Sequence, residues 1–534
     1  MYVIGGAIRR FLARAGAEDG FTMATAMLAL LVVSLAMAAM VSAVRGDIQL
    51  TNNDLDHKRA YEAAEAGLAD YSYHLNKDNA YWSKCTNVPM PNAVNNVGST
   101  TKRRPVPGGT GATYSLELIP ATGKSVCSTA DPVGSMIEQS SGVSNGTFRV
   151  RSTGYSGNTK VAIVASFKRA SFLDYVYFTQ YETLDPVAYG YTDPTSIASA
   201  NSQCAKTYRA GRPNSPIANT GGTYCSEIVF SSGEQINGPL HTNDELNICG
   251  NPTFGRSVAD LIEVSAPPTG WRSSGNCGSG SPTFKGTYLT SSPVLTPPNT
   301  NKSLRNVQGA QVYTGQTEIV LGSGSTMQVK TNGASGFSTV PIPSSGVIYV
   351  ANSTSQACSS AYSPFTATYP TTSPCGNAIV SGPYSSRITI AAENDVIISG
   401  NLTRSGSGML GLIANNFIRV KHNLSNNATS ASSCGSGNSN SGSVADEIDA
   451  AMLSLQHSFI VDHYNCGNPL GTLTVSGAIS QKFRGPVGTV SGGSTQSGYS
   501  KNYNYDDRLR YLAPPNFLDP VESAWHMQRQ TLTP

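Results

Sequence analysis

The chain has 534 residues, enough for more than one domain, and its charged fraction of 13% is about half the ~25% usual for soluble domains. Fifty-three glycines and frequent Ser, Thr and Asn fill the difference, a composition that suits an extracellular β protein with many turns. A formal net charge of +3 says nothing about partners, and Lys102-Arg103-Arg104, the one compact basic run, reads as a solvated loop, so the sequence makes no case for a nucleic-acid footprint.

Residues 1–20 form a short leader that holds Arg9, Arg10 and Arg14 and ends in Gly20. From Phe21 to Val44 the chain carries no charged residue. These 24 residues would span roughly 36 Å as a helix, enough to cross the ~30 Å hydrocarbon core of a bilayer. A secretory signal has a shorter apolar region, and Ser42-Ala43-Val44-Arg45 runs on into more helix pattern rather than a cleavage site. Leu55, Ala60, Ala64, Leu68, Tyr71 and Leu75 extend that pattern, most of them on one face.

The order of a basic leader, Gly20, Phe21 and then the apolar run resembles the type III signal of type IV pilins and pseudopilins. Within the helix, Arg59-Ala60-Tyr61-Glu62-Ala63-Ala64-Glu65-Ala66-Gly67-Leu68 resembles the AxxAAEAGL signature of PilX-type minor pilins. The resemblance covers about residues 9 to 75. It implies that the membrane-bound prepilin peptidase cuts between Gly20 and Phe21 and that the apolar helix stays on the mature protein. Major pilins of the family carry glutamate at the fifth mature position, where this chain has Thr25. An intramembrane carboxylate without its partner costs a few kcal/mol, so the family pairs it with a neighbour's N-terminal amine. Its absence implies a minor, tip or priming subunit rather than a repeating shaft subunit.

Residues 79–170 are expected to form a small antiparallel β head on the exposed half of the helix, with strands at Tyr114–Ile119, Thr147–Ser152 and Val161–Phe167. Phe172 to Phe178 reads as an aromatic strand opening a new core, and the boundary is placed here. From residue 171 to 534 short apolar pieces recur between Asn, Gly and Ser, among them Ile228–Phe230, Leu246–Ile248, Val347–Val350, Ile388–Ile390, Val396–Ile398, Leu410–Ile413 and Ile418–Val420. Such pieces fit a parallel β-helix, right-handed, with a β-sandwich of antiparallel hairpins as the alternative. Asn394-Asp395 and Gly400-Asn401 are expected at left-handed turns. Ser425–Ser443 reads as an insertion, Asp446–Leu455 as a short helix, and Tyr499–Trp525 as a cap over the last rung. The fold class is thus α+β: a long N-terminal helix (21–78, membrane part 21–44), a pilin-like head and a mostly β surface domain.

Ten cysteines, at Cys85, Cys127, Cys204, Cys225, Cys249, Cys277, Cys358, Cys375, Cys434 and Cys466, all follow the apolar run and read as five disulfides of open connectivity. No Cys-x-x-Cys spacing supports zinc, and no metal or cofactor is expected. Three constellations carry side chains that could do chemistry. His457 and His463, six apart on a strand, would lie about 20 Å from each other, too far to share a metal. His241-Thr242-Asn243-Asp244-Glu245 offers an imidazole and two carboxylates, and also a polar turn. Asp506-Asp507, beside Arg508 and Arg510, could be a glycosidase pair but reads better as an ion pair. No catalytic residues are assigned. The expectation is a non-enzymatic pilus or pseudopilus subunit, held in the cytoplasmic membrane by one span with its bulk outside. It would assemble with other pilins and display a disulfide-bonded domain for adhesion, to a glycan or another surface ligand. The alternative is a membrane-tethered β-helix polysaccharide hydrolase.

Overall fold

The computed structural model describes residues 23–78, 81–85, 103–108, 111–138, 147–169, 171–189, 194–213, 225–273, 279–359, 362–424, 445–491, 494–510, 512–521 and 525–533. Gly20, Phe21, Cys277, Cys434 and the 425–443 insertion lie outside the described residues. Among the described residues the protein is mostly β, with few helices and one apolar helix at its N-terminal side.

That helix, Met23–Lys77, is rich in Ala, Leu and Met, contains no proline, and runs for 55 residues, about 82 Å at 1.5 Å per residue. His74 and Lys77 in its last turn oppose the negative end of the helix dipole. Its two halves have different surroundings. Thr25–Ser42 is long and apolar enough to cross a membrane, and none of it is buried. From Ala60 onward one face is buried by a five-stranded antiparallel sheet, ordered Arg104–Pro105, Thr113–Ile119, Thr147–Ser156, Thr159–Arg169 and Trp525–Thr533. Leu68, Tyr71 and Leu75 meet Phe148, Ile163, Phe167 and Trp525 there. Each fully buried side chain of this size contributes about 1.5–3 kcal/mol. Leu55, expected on the same face, is instead exposed, because the sheet begins to cover the helix only near Asp56 and Ala60.

The last strand of this head sheet comes from the far end of the chain. Trp525–Thr533 pairs antiparallel with Thr159–Arg169, and the Trp525 ring meets Phe148 edge-on at 4.7 Å. The large domain is therefore an insertion between two neighbouring strands of the head. At the junction Lys168 Nζ donates to Asp174 Oδ1 (2.8 Å) and to the Arg510 carbonyl (3.0 Å), while Ser171 Oγ donates to Asp519 at 2.8 Å.

In the large domain most strands lie parallel and in register, with antiparallel pairing of Thr326–Lys330 to Thr317–Val320 and Ser338–Pro341 and of Gly488–Ser491 to Ser494–Tyr505. Central strands such as Val347–Ala351, Val396–Ile398, Met409–Ala414 and Ile418–Val420 are covered on both faces, which is why they read as short continuous apolar runs. One ladder passes through Gln311, Ile348, Ile390, Leu412, Met452, Ile479, Tyr177, Leu240, Ile262 and Tyr288. A second passes through Thr317, Ala378, Val396, Ile418 and Phe459. The order of the first ladder is not the order of the chain. The chain enters in the middle at Tyr177 and builds outward to Tyr288. It then runs to the opposite end through a segment pinned by Leu295, Asn301 and Leu304, and returns from Gln311 to Ile479 beside its own start.

Several sequence expectations change accordingly. Tyr499–Trp525 does not cap a last rung: Ser494–Tyr505 pairs inside the stack with Pro469–Arg484 and Gln235–Asn237, and only the segment after it lies along the outside. Residues 171–534 are not one unit with its own end, since the chain finishes in the head. Asp446–Leu455 is not a helix. Glu447–Ser454 is a strand between Met409–Ala414 and Pro469–Arg484, and because both its faces are buried its apolar residues mimic helical spacing. Asn394 and Asp395 are not in left-handed turns and neither are Gly400 and Asn401. Asn394 is instead the middle of a side-chain ladder, with Asn394 Nδ2 donating to Asn377 Oδ1 and Asn416 Nδ2 to Asn394 Oδ1, both at 2.6 Å.

Candidate functional site

The exposed half of the N-terminal helix presents Met27, Leu28, Leu30, Leu31, Val32, Leu35, Met37 and Met40 around its circumference, with Thr25 exposed near its start. An apolar surface all round a helix needs lipid or other apolar helices as its neighbours. The docked half is built for close approach. Ala60, Ala63, Ala64 and Gly67, the small residues of the AAEAGL segment, are buried, and Glu62 faces solvent. A Cβ on Gly67 would lie 2.3 Å from Ser152 Oγ, so the glycine is what lets the sheet reach the helix. Ser156 Oγ donates to Asp56 at 2.8 Å and Arg104 Nη1 donates to Asp70 Oδ2 at 2.5 Å, fixing the rotation of helix on sheet.

Three disulfides join cysteines that are neighbours in sequence: Cys85–Cys127, Cys204–Cys225 and Cys358–Cys375. Cys249 and Cys466 are disulfide-bonded as well, and among the described residues no cysteine is free.

Of the polar constellations, His241, Asp244 and Glu245 are all buried, but they face different partners. His241 lies between Glu263 (3.3 Å) and Asn243 (3.1 Å). Asp244 accepts from Arg212 and from the Glu182, Tyr208 and Glu245 amides, while Glu245 pairs with Arg209 Nε at 2.7 Å. The turn thus fastens the disulfide-closed 204–225 segment to the stack. Beside it, burial raises the Glu182 carboxyl above its ordinary range in spite of Arg484, which stands 3.4 Å away as an ion pair without a well-formed hydrogen bond.

His457 and His463 sit in separate environments. His457 stacks on Phe417 and its Nδ1 lies 3.2 Å from Asp185, whereas His463 Nδ1 lies 2.8 Å from the His422 carbonyl. Burial lowers the His463 imidazole, favouring its neutral form. Asp506 and Asp507 belong to a chain of ion pairs with Arg256, Asp260, Arg404, Arg508 and Arg510. Burial works against ionisation of Asp506, yet the Arg508 and Arg404 contacts outweigh it and hold the carboxyl below its usual range. A glycosidase acid needs the opposite shift.

A further buried ionic centre has no counterpart among the sequence expectations. Arg419 makes a two-pronged bond to Asp462, with Nε and Nη2 both at 3.0 Å, and reaches Asp395 with Nη1 at 3.2 Å. Tyr362 and Tyr369 donate to the same Asp462 carboxylate, which ties the Cys358–Cys375 loop to the stack. Burial raises Asp395 and both phenols. A lone Arg between Ile418 and Val420 was the available signal, since a charge within a strand buried on both faces needs a buried partner. Among the described residues no group of three His, Cys, Asp or Glu could hold a metal.

No protein-family model matches the sequence, and a search of curated proteins finds no relative. Among solved structures, the competence-associated pilin ComZ from Thermus thermophilus is similar at 13% identity, over 90% of this chain and 97% of that one. Its TM-score is 0.26, an overlap too weak to argue from.

Proposed function

We propose that the chain is a minor subunit, at the tip or in priming, of a bacterial type IV pilus or a related secretion pseudopilus. One observation carries this reading: a single continuous helix is exposed and apolar over Thr25–Ser42 and docked into an antiparallel sheet from Ala60 to Leu75. The prepilin peptidase removes residues 1–20 by cutting before Phe21, and the retained helix holds the protein in the cytoplasmic membrane with its bulk outside. On assembly the exposed half trades lipid for the helices of other pilins. Thr25 at the fifth mature position leaves no carboxylate to pair with a neighbour's amine, which favours end placement over repeated addition. The inserted domain, which we read as a parallel β-helix, is displayed at the cell surface for adhesion.

We read the domain as a binding module and not a hydrolase, because each carboxylate weighed for chemistry is tied to an arginine or to a backbone amide. Immunogold labelling of the β domain on sheared filaments tests the proposal. Label at filament ends supports it. Label along the shaft contradicts end placement, and label on membranes but on no filament contradicts the pilus assignment.

A further inference from the structure

A recess of about 160 Å³ opens beside the Arg419 centre, between two disulfide-closed segments. One wall is Ile197, on the Pro194–Cys204 helix whose last residue is bridged to Cys225. A second lining residue is Tyr362, four residues past Cys358 in the loop closed by Cys375. The polar lining of the recess includes Asp395, Asn416 and His457, called here its floor. Its size is below the ~300 Å³ at which pockets for drug-sized molecules begin, so it takes one small ring.

The chemistry of the floor is that of an acceptor surface. The Asp395 oxygens take one hydrogen bond each, from Arg419 Nη1 and the Phe417 amide, and each keeps a further lone pair. Asn416 commits its Nδ2 to Asn394, which leaves Oδ1 to accept. His457 is held with its Nδ1 3.2 Å from Asp185 and its ring stacked on Phe417. Val187 and Ile197 supply the apolar face a ring's C–H groups would cover. One arginine, Arg419, is shared between two carboxyl groups, Asp395 and Asp462, so it has no free prong for an incoming anion and the site disfavours one.

From this arrangement we infer that the recess binds a single hydroxyl-rich sugar residue that is neutral or carries an amine, and rejects uronic acids. Acceptors on the floor pair with hydroxyl or ammonium donors, and the two disulfides hold the walls in place before binding, which lowers the ordering cost. The inference deepens the adhesion reading above by naming its ligand class.

The test is saturation-transfer NMR on the full, disulfide-intact chain in detergent micelles. The probes are methyl galactoside, N-acetylglucosamine, glucosamine and glucuronate. We expect transfer to at least one of the first three and none to glucuronate. Ile197→Trp fills the recess from an apolar wall and is expected to weaken binding about ten-fold or more, with an unchanged thermal transition. If that variant does not fold, Val187→Phe replaces it. Absence of transfer to all three uncharged or amine-bearing probes, equal transfer to glucuronate, or transfer unaffected by the filling variant each overturns the inference. The purified chain is assayed, so failure here leaves the filament result standing, and failure on filaments leaves this binding result standing.

Discussion

Gly154 lies against Ala60 so closely that a Cβ on it would sit 1.9 Å from the Ala60 carbonyl oxygen and 2.5 Å from the Ala64 nitrogen. No flexible side chain is available to yield, because both near atoms are backbone. Gly154→Ala must therefore push the sheet off the helix. The expected loss is about 1–3 kcal/mol or more, read as a lower thermal midpoint of the head. An unchanged midpoint would contradict the docking described here.

Tyr71 lies in the same interface, fully buried, and its hydroxyl has no hydrogen-bond partner. Its ring is what the core uses, 5.7 Å from Phe167 and 5.3 Å from Tyr81. Tyr71→Phe removes an unpaired polar atom and keeps the ring. It should stabilise the head by about 1 kcal/mol in denaturant unfolding, whereas destabilisation would mean the hydroxyl has a partner.

Asp462→Ala leaves Arg419 in the interior with Asp395 as its remaining carboxylate and takes the acceptor from Tyr362 and Tyr369. Removing one partner of such a buried pair costs about 3–5 kcal/mol. Limited proteolysis should then cut the 358–375 loop faster than in the wild type. Asp462→Asn, which keeps the shape but not the charge, should fall between the two.

The carboxylates predict opposite pH effects. Asp260 and Asp506 are held below the usual range because arginine contacts outweigh their burial, so the stability they give is present above the unfolded value of about 3.9 and is lost as pH falls through their lower folded values. Burial raises Asp395 and Glu182, so their folded forms resist ionisation. Their cost to stability appears as pH rises from the ordinary carboxylate value through the raised one. Thermal midpoints measured against pH should fall on acidification, and Asp506→Asn should flatten that fall while lowering stability at neutral pH. An acid limb as steep as the wild type's would count against the Asp506 ion pairs.

The helix was legible because its signal is local: an uncharged apolar run followed by small residues on one face. The short strands were legible for the same reason, as Val396–Ile398 and Ile418–Val420 show. What the chain does with them was not. Tyr177 pairs with Ile479 and Leu240 across separations that no local pattern encodes, and Trp525 returns to a sheet whose other strands are more than 350 residues earlier. Glu447–Ser454 was misread because burial on both faces erases the period of two. The Arg419 centre draws its members from positions 362 to 462, and only folding brings them together.

The proposed function requires that the apolar helix be kept on the mature protein and serve as its assembly element. Intact-mass and N-terminal analysis of the protein recovered from membranes and from sheared filaments tests it most directly. The expected chain begins at Phe21 in both fractions. A chain that still begins at Met1, or one that has lost the 21–44 segment, would contradict it.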